Sequence, residues 1–114
     1  MIYKPFDIVV VPFPFVDSSA TKKRPALVLS SFEQFGRHIR HSVMAMITSA
    51  QHNSWPLDIT IENLTITGLT APSIIRMKLF TLDNQFILKK CGILGDEDQE
   101  ACAKSLEKLF KATL

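Results

Sequence analysis

Three consecutive cations, Lys22, Lys23 and Arg24, stand directly before Pro25 and the apolar run Ala26-Leu27-Val28-Leu29. A guanidinium held by a rigid backbone can fork onto two phosphate oxygens, so this arrangement suits an anion site; the competing reading is a solvated turn. Thr48 and Ser49 follow the apolar run 43–47 and supply two hydroxyls where a strand leaves the sheet, a place where such residues also cap turns. Trp55, directly before Pro56, offers a surface for stacking on a base or serves as a packing anchor. Of the histidines, His38 and His41 lie three apart with no third metal ligand near them, and His52 sits in the polar run Gln51-His52-Asn53-Ser54, a surface loop.

The templates for metal-assisted and nucleophilic catalysis do not occur. There is no H-E-x-x-H, no cysteine pair at zinc spacing, no P-loop, no G-x-S-x-G and no G-x-G-x-x-G. Chemistry without a metal or other cofactor is favoured. Cys91 and Cys102 are the only cysteines, too few for a disulfide framework, and both read as buried thiols. The net charge of +2 is modest but unevenly spread, with residues 18–41 strongly basic and residues 96–111 acidic. The basic stretch would attract phosphate or an acidic peptide without demanding nucleic acid.

The elements that must hold these groups follow from periodicity. Residues 8–15 are rich in β-branched and aromatic side chains, and Pro12 and Pro14 remove donors from alternate positions, which predicts a strand running to a sheet edge or bend. Residues 16–25 read as a polar loop, placing Arg24 where a loop enters a strand over residues 26–30. A second loop, mobile and basic, is expected over residues 31–42, then strands over 43–47, 57–62, 74–81 and 86–94 with a turn at 82–85. Cys102, Leu106, Leu109, Phe110 and Thr113 share one stripe of a C-terminal helix, opened by a capping box of Asp96 with Gln99. The 114 residues support one domain: a small, strongly twisted sheet or partly closed barrel covered by that helix. No apolar run approaches the roughly 20 residues that cross a bilayer, and the N-terminus lacks a signal-peptide core, so a cytosolic protein without membrane partners is expected.

In order and spacing these residues resemble the MazF/PemK family of toxin–antitoxin toxins over nearly the whole chain. The resemblance rests on Asp7-Ile8-Val9, Lys23-Arg24-Pro25-Ala26-Leu27-Val28-Leu29-Ser30, Ile47-Thr48-Ser49, Ser73-Ile74-Ile75-Arg76, Thr81-Leu82-Asp83 and Lys90-Cys91-Gly92-Ile93-Leu94. The R-P-x-L-V-L element is fairly specific, and the joint order of the others adds to it. The resemblance implies the plasmid-maintenance-toxin fold, an SH3-like barrel or twisted antiparallel sheet with helices. It further implies a homodimer whose groove takes single-stranded RNA, and metal-independent cleavage by the ribose 2′-hydroxyl to a 2′,3′-cyclic phosphate and a 5′-hydroxyl. Arg24 and Thr48 are then the catalytic pair, with Lys22, Lys23, Ser49, Trp55 and Arg76 as RNA contacts. The implied partner is a cognate antitoxin with an acidic, disordered tail.

The sequence departs from the family pattern at two places. Phe6 stands where many members have glycine before the acidic residue, so the turn into the first strand is expected to differ in shape. Arg76-Met77-Lys78 replaces the Arg-x-Asp of some members, which removes a carboxylate base from that strand and leaves the base open. Two further readings remain: a protein-binding toxin of the same fold that poisons DNA gyrase, poorly matched by Phe110-Lys111-Ala112-Thr113-Leu114, and a degenerate, non-catalytic member.

Overall fold

The computed structural model describes residues 2–13, 22–51 and 53–111. Its strands are β1 (Asp7–Phe13), β2 (Lys22–Val28), β3 (His41–Ser49), β4 (Ile59–Thr60), β5 (Ser73–Asp83) and β6 (Lys89–Ile93). They form one curled antiparallel sheet in the order β4-β5-β3-β2-β1-β6. A π-helical turn, Phe32–Gly36, runs into a short helix α1 (Arg37–Ile39), and the chain closes with α2 (Asp96–Leu109). A small antiparallel sheet bearing a C-terminal helix is the architecture expected from the sequence.

Alternation along the strands sends side chains to two cores. Ile8, Leu27, Ala45, Ile47 and Ile75 face α2, where Cys102 and Leu94 complete the cluster. Val9, Val11, Ala26, Val28 and Met44 face the other way, packed with Tyr3, Ile87, Phe80 and Leu82. Helix α2 is tied down by Asp98, whose buried carboxylate accepts from the Glu62 N–H (3.1 Å) and the Asn63 N–H (3.0 Å).

The strand β1 enters through Asp7, which is buried, accepts from the Lys4 N–H (2.8 Å) and pairs with Lys90 (3.1 Å). Phe6 before it has φ +74°, the left-handed region that glycine occupies without cost, so this chain holds a bulky residue in a glycine-like turn. The Phe6 N–H donates to the Val28 carbonyl and its own carbonyl accepts from Leu94, which holds the strained residue in place. Pro12 fits because its missing donor faces away from β2: the Val10 carbonyl, on the same edge, accepts from Leu88, and the β6 ladder ends there.

Several boundaries differ from the sequence reading. Strand β2 begins by Lys22, so Arg24 lies inside a strand and not at a loop junction. Residues 31–42 are not a mobile loop; Ser31 caps the helical turn by accepting from the Gln34 N–H (3.1 Å), and β3 already begins at His41. Leu82 and Asp83 extend β5, with a 3-10 turn at Asn84–Phe86. Of residues 57–62 only Ile59–Thr60 pair as a strand, because Leu57 has φ +68° and leaves the extended region. The capping box is absent: Gly95 is the N-cap, and the Gln99 side chain donates instead to the Leu94 carbonyl (2.7 Å). Helix α2 stops at Leu109, so Phe110 is exposed and Thr113 lies outside the described residues. Cys91 is only half-buried, whereas Cys102 is fully enclosed and burial pushes its thiol up to about 11.

Candidate active site

The site is built where the β2–β3 ladder stops. Only Ala26↔Met46, Leu27↔Ala45 and Val28↔Met44 pair between these strands. Beyond Ala26, β2 continues against β1 alone, with Arg24 opposite Val11, and beyond Met46, β3 continues against β5 alone, with Thr48 opposite Ile74. Extending the register sets Pro25 against Ile47 and Arg24 against Thr48.

Pro25 supplies the reason the ladder opens. The Leu29 N–H donates to the Val43 carbonyl (2.8 Å), so alternate residues of β2, namely Leu29, Leu27 and position 25, aim their amides at β3. At position 25 there is no N–H to give. The next bond of the ladder lacks its donor, and the strands proceed with different partners.

Arg24 and Thr48 therefore flank an unpaired seam on one face of the sheet, the face turned away from α2. Arg24 shares that face with Val11, Ala26 and Val28, which are fully buried, and is itself half-buried. Its guanidinium has no side-chain hydrogen bond or ion pair among the described residues. Lys22 and Lys23 are exposed; alternation puts Lys22 on the Arg24 face and Lys23 on the opposite one. Thr48 is half-buried, and the exposed Ser49 accepts from the Gln51 N–H (3.3 Å), which makes Ser49 a turn cap. A forked cation facing a hydroxyl across a strand gap can bind a phosphodiester from two sides.

The next row of the same face is arranged differently. Arg76, opposite Met46, is buried, and its Nε and Nη2 donate to the two Asp58 carboxylate oxygens at 3.2 Å and 2.9 Å. Nη2 also donates to the Asn53 carbonyl, and the guanidinium lies 5.0 Å from the centre of the Trp55 ring. Burial would raise the Asp58 carboxyl, but the Arg76 guanidinium and the Trp55 N–H outweigh it and hold the group below its ordinary range. The hydrogen bond to Asp58 in turn raises Arg76 against the opposing effect of burial. A carboxylate does stand beside Arg76, then, but it comes from the preceding loop and its oxygens are already engaged.

Residues 55–58 form the turn that carries this cluster. The Asp58 N–H donates to the Trp55 carbonyl (3.3 Å), Pro56 sits second, and Leu57 takes φ +68° in third place, the pattern of a type II turn. Glycine normally fills that third place, and a left-handed non-glycine residue costs about 1–2 kcal/mol. The Asp58 carboxylate closes the turn a second time by accepting the Trp55 N–H (2.8 Å). Alternation over 57–62 makes Asp58 look like one wet position of a strand; its local signal is Trp55-Pro56-Leu57-Asp58 itself, a proline in second place with a residue able to cap in the fourth.

The remaining candidates lie elsewhere. His38 Nε2 and His41 Nδ1 meet the backbone carbonyls of Glu33 (3.2 Å) and Ile39 (2.8 Å), and His52 lies outside the described residues. Arg37 is spent on Glu33 (2.8 Å) and on the Phe32 ring. No group of three or more His, Cys, Asp or Glu residues is placed to hold a metal ion among the described residues, and no described helix is long and apolar enough to cross a membrane.

Comparison with known proteins agrees with this architecture. Residues 4–110 match the family of PemK-like, MazF-like toxins of type II toxin–antitoxin systems. Curated protein sequences yield no match. Among solved structures, the MazE–MazF complex from Deinococcus radiodurans aligns with a TM-score of 0.78 at 16% identity, covering 99% of this chain and 100% of that one. The Mycobacterium tuberculosis toxin MazF-mt6 aligns at 0.72 with 19% identity, covering 95% and 99%. A mycobacterial endoribonuclease in complex with its cognate antitoxin aligns at 0.76 with 12% identity, covering 98% of both chains. At these identities the structures establish a shared fold.

Proposed function

This chain belongs to the PemK-like, MazF-like toxins of type II toxin–antitoxin systems, and from that premise we propose that it is an endoribonuclease cutting single-stranded RNA without a metal ion. One observation carries the reading: a half-buried arginine without a side-chain partner faces a threonine across the unpaired end of a ladder, on one face of the sheet. That pair suits attack by a ribose 2′-hydroxyl on the adjacent phosphorus, giving a 2′,3′-cyclic phosphate as the 5′-oxygen departs. Arg24 stabilises the negative charge that builds on the phosphorane, since a guanidinium stays charged throughout the reaction. Thr48, donor and acceptor at once, orients the phosphate and relays the proton whose net path runs from the 2′-oxygen to the 5′-oxygen. Lys22 on the same face attracts the backbone electrostatically, and Lys23 and Ser49 add to the basic, polar rim. Trp55 stacks on a base.

The same premise supports a two-fold homodimer and inhibition by an antitoxin whose acidic, disordered tail competes for the basic groove. Two of the similar solved structures hold an antitoxin bound to a protein of this fold. The experiment incubates purified protein with a long mixed-sequence RNA in EDTA and maps the ends. Cutting that leaves 2′,3′-cyclic phosphates and disappears in Arg24→Ala, at unchanged melting temperature, is the expected result. Equal cutting by both proteins overturns the assignment of Arg24. No cutting, together with trapped gyrase–DNA complexes, overturns the ribonuclease reading in favour of a protein-binding toxin.

A further inference from the structure

The turn 55–58 combines features that a surface loop has no structural need for. Its only aromatic ring is 44% exposed, yet the turn beneath is held by both backbone and side-chain hydrogen bonds. Asp58 accepts from Nε and Nη2 of Arg76 and from the Trp55 N–H, Nη2 of Arg76 reaches the Asn53 carbonyl as well, and Leu57 is held in a left-handed conformation. The guanidinium sits over the indole at 5.0 Å, and the side chain still keeps much of its surface exposed. Arg76 lies one row along β5 from Ile74, the residue paired with Thr48, so the residue that holds the ring shares the face that carries the seam, one strand beyond Thr48.

We propose that Asp58 and Arg76 are positioning residues that hold Trp55 as a rigid, one-faced platform for a single unpaired base next to the scissile phosphate. This rests on the ribonuclease reading and assigns Arg76 a role other than contact with phosphate. A ring fixed before the substrate arrives loses no freedom on stacking, so the clamp acts on binding of the RNA. Because the platform takes a base by its face, it accepts any base that is free of a partner and refuses one held inside a duplex.

The chain contains one tryptophan, so its fluorescence reports this ring alone. A short, mixed-sequence, single-stranded 2′-O-methyl oligonucleotide, which has no free 2′-hydroxyl to attack, is titrated into wild type while emission and acrylamide access are followed. Stacking quenches the emission and shields the ring, and the same sequence as a duplex leaves both unchanged. In cleavage assays Trp55→Ala raises KM about tenfold with kcat within about twofold, and Trp55→Phe restores most of the loss. Asp58→Asn, which keeps the shape of the turn and removes the charge that holds Arg76, raises acrylamide access in the free protein and raises KM in the same way. An exposed ring is removable without unfolding the chain, so the Trp55 pair decides even where an Asp58 variant misfolds. Cleavage with unchanged KM in Trp55→Ala overturns the platform while leaving the ribonuclease reading intact. Absence of both binding and cleavage in wild type overturns the two together.

Discussion

Arg24 and Arg76 stand on the same face of one sheet, in adjacent rows, and the chain uses them in opposite ways. Arg76 is buried, matched by a carboxylate, capped by a carbonyl and stacked on a ring. Arg24 is half-buried beside fully buried Val11 and has no side-chain counter-charge among the described residues. A buried cation paired with a carboxylate stabilises a local structure, whereas a cation without a side-chain partner is available to charge that arrives with a substrate. Residue type did not distinguish them; their neighbours did.

The contrast can be broken most severely at Arg24. Arg24→Ala is expected to lower kcat/KM for RNA cleavage by about 10³-fold or more, with a melting temperature within a degree or so of wild type. If the protein unfolds instead, Arg24 is a structural cation like Arg76. Next in size is the hydroxyl pair: Thr48→Ala should lose about 10²-fold in kcat, whereas Ser49→Ala, which removes only a turn cap on Gln51, should change little. Equal losses at both positions would show that the hydroxyls act as a unit and not through the register that sets Thr48 opposite Arg24.

At Asp58 the expected signature is inverted. Asp58→Ala leaves Arg76 buried without its counter-charge, and the melting temperature should fall by roughly 5–10 °C while kcat changes far less than in Arg24→Ala. A large loss of kcat at unchanged stability would instead make Asp58 part of the chemistry. The smallest effect is on pH. The Asp58 pKa is lowered in the folded chain, so its stabilisation is present above the ordinary carboxyl pKa of about 3.9 and is lost as pH falls through the lower folded value. Trp55 emission should therefore stay native as pH descends through the ordinary carboxylate range and change only below it. A transition centred higher, near pH 5, would mean the clamp is not an ion pair in solution.

How much of this was legible depended on range. Strands β1 and β3 showed as apolar runs, because each buries both of its faces, and helix α2 showed in its period, because it buries one side of itself. The order Arg24, Thr48 and Arg76 was recoverable through resemblance to a family. The start of β2 was not: Pro25 signals a loop in sequence, yet only its β3 side lacks a partner, and β1 pairs the same residues back to Lys22. The helical turn over Phe32–Gly36 had a local sign, Ser31 with Gln34 three residues on, hidden by the basic composition around it. Asp58 was illegible for a deeper reason. Its role depends on Arg76, eighteen positions away in the chain, and only pairing of β4 with β5 brings the two together.

Pro25 sets two tendencies of the sheet against each other. A sheet gains by completing its hydrogen bonds, and every neighbouring position of β2 would let this one zip further toward Lys22. The missing donor prevents that, at the position where closure would seal Arg24 against Thr48. Selection for greater stability would favour any residue there that restores an amide proton, and selection for an open cleft would oppose it. Position 25 is thus one at which a more stable descendant of this protein is expected to have a narrower cleft between β2 and β3.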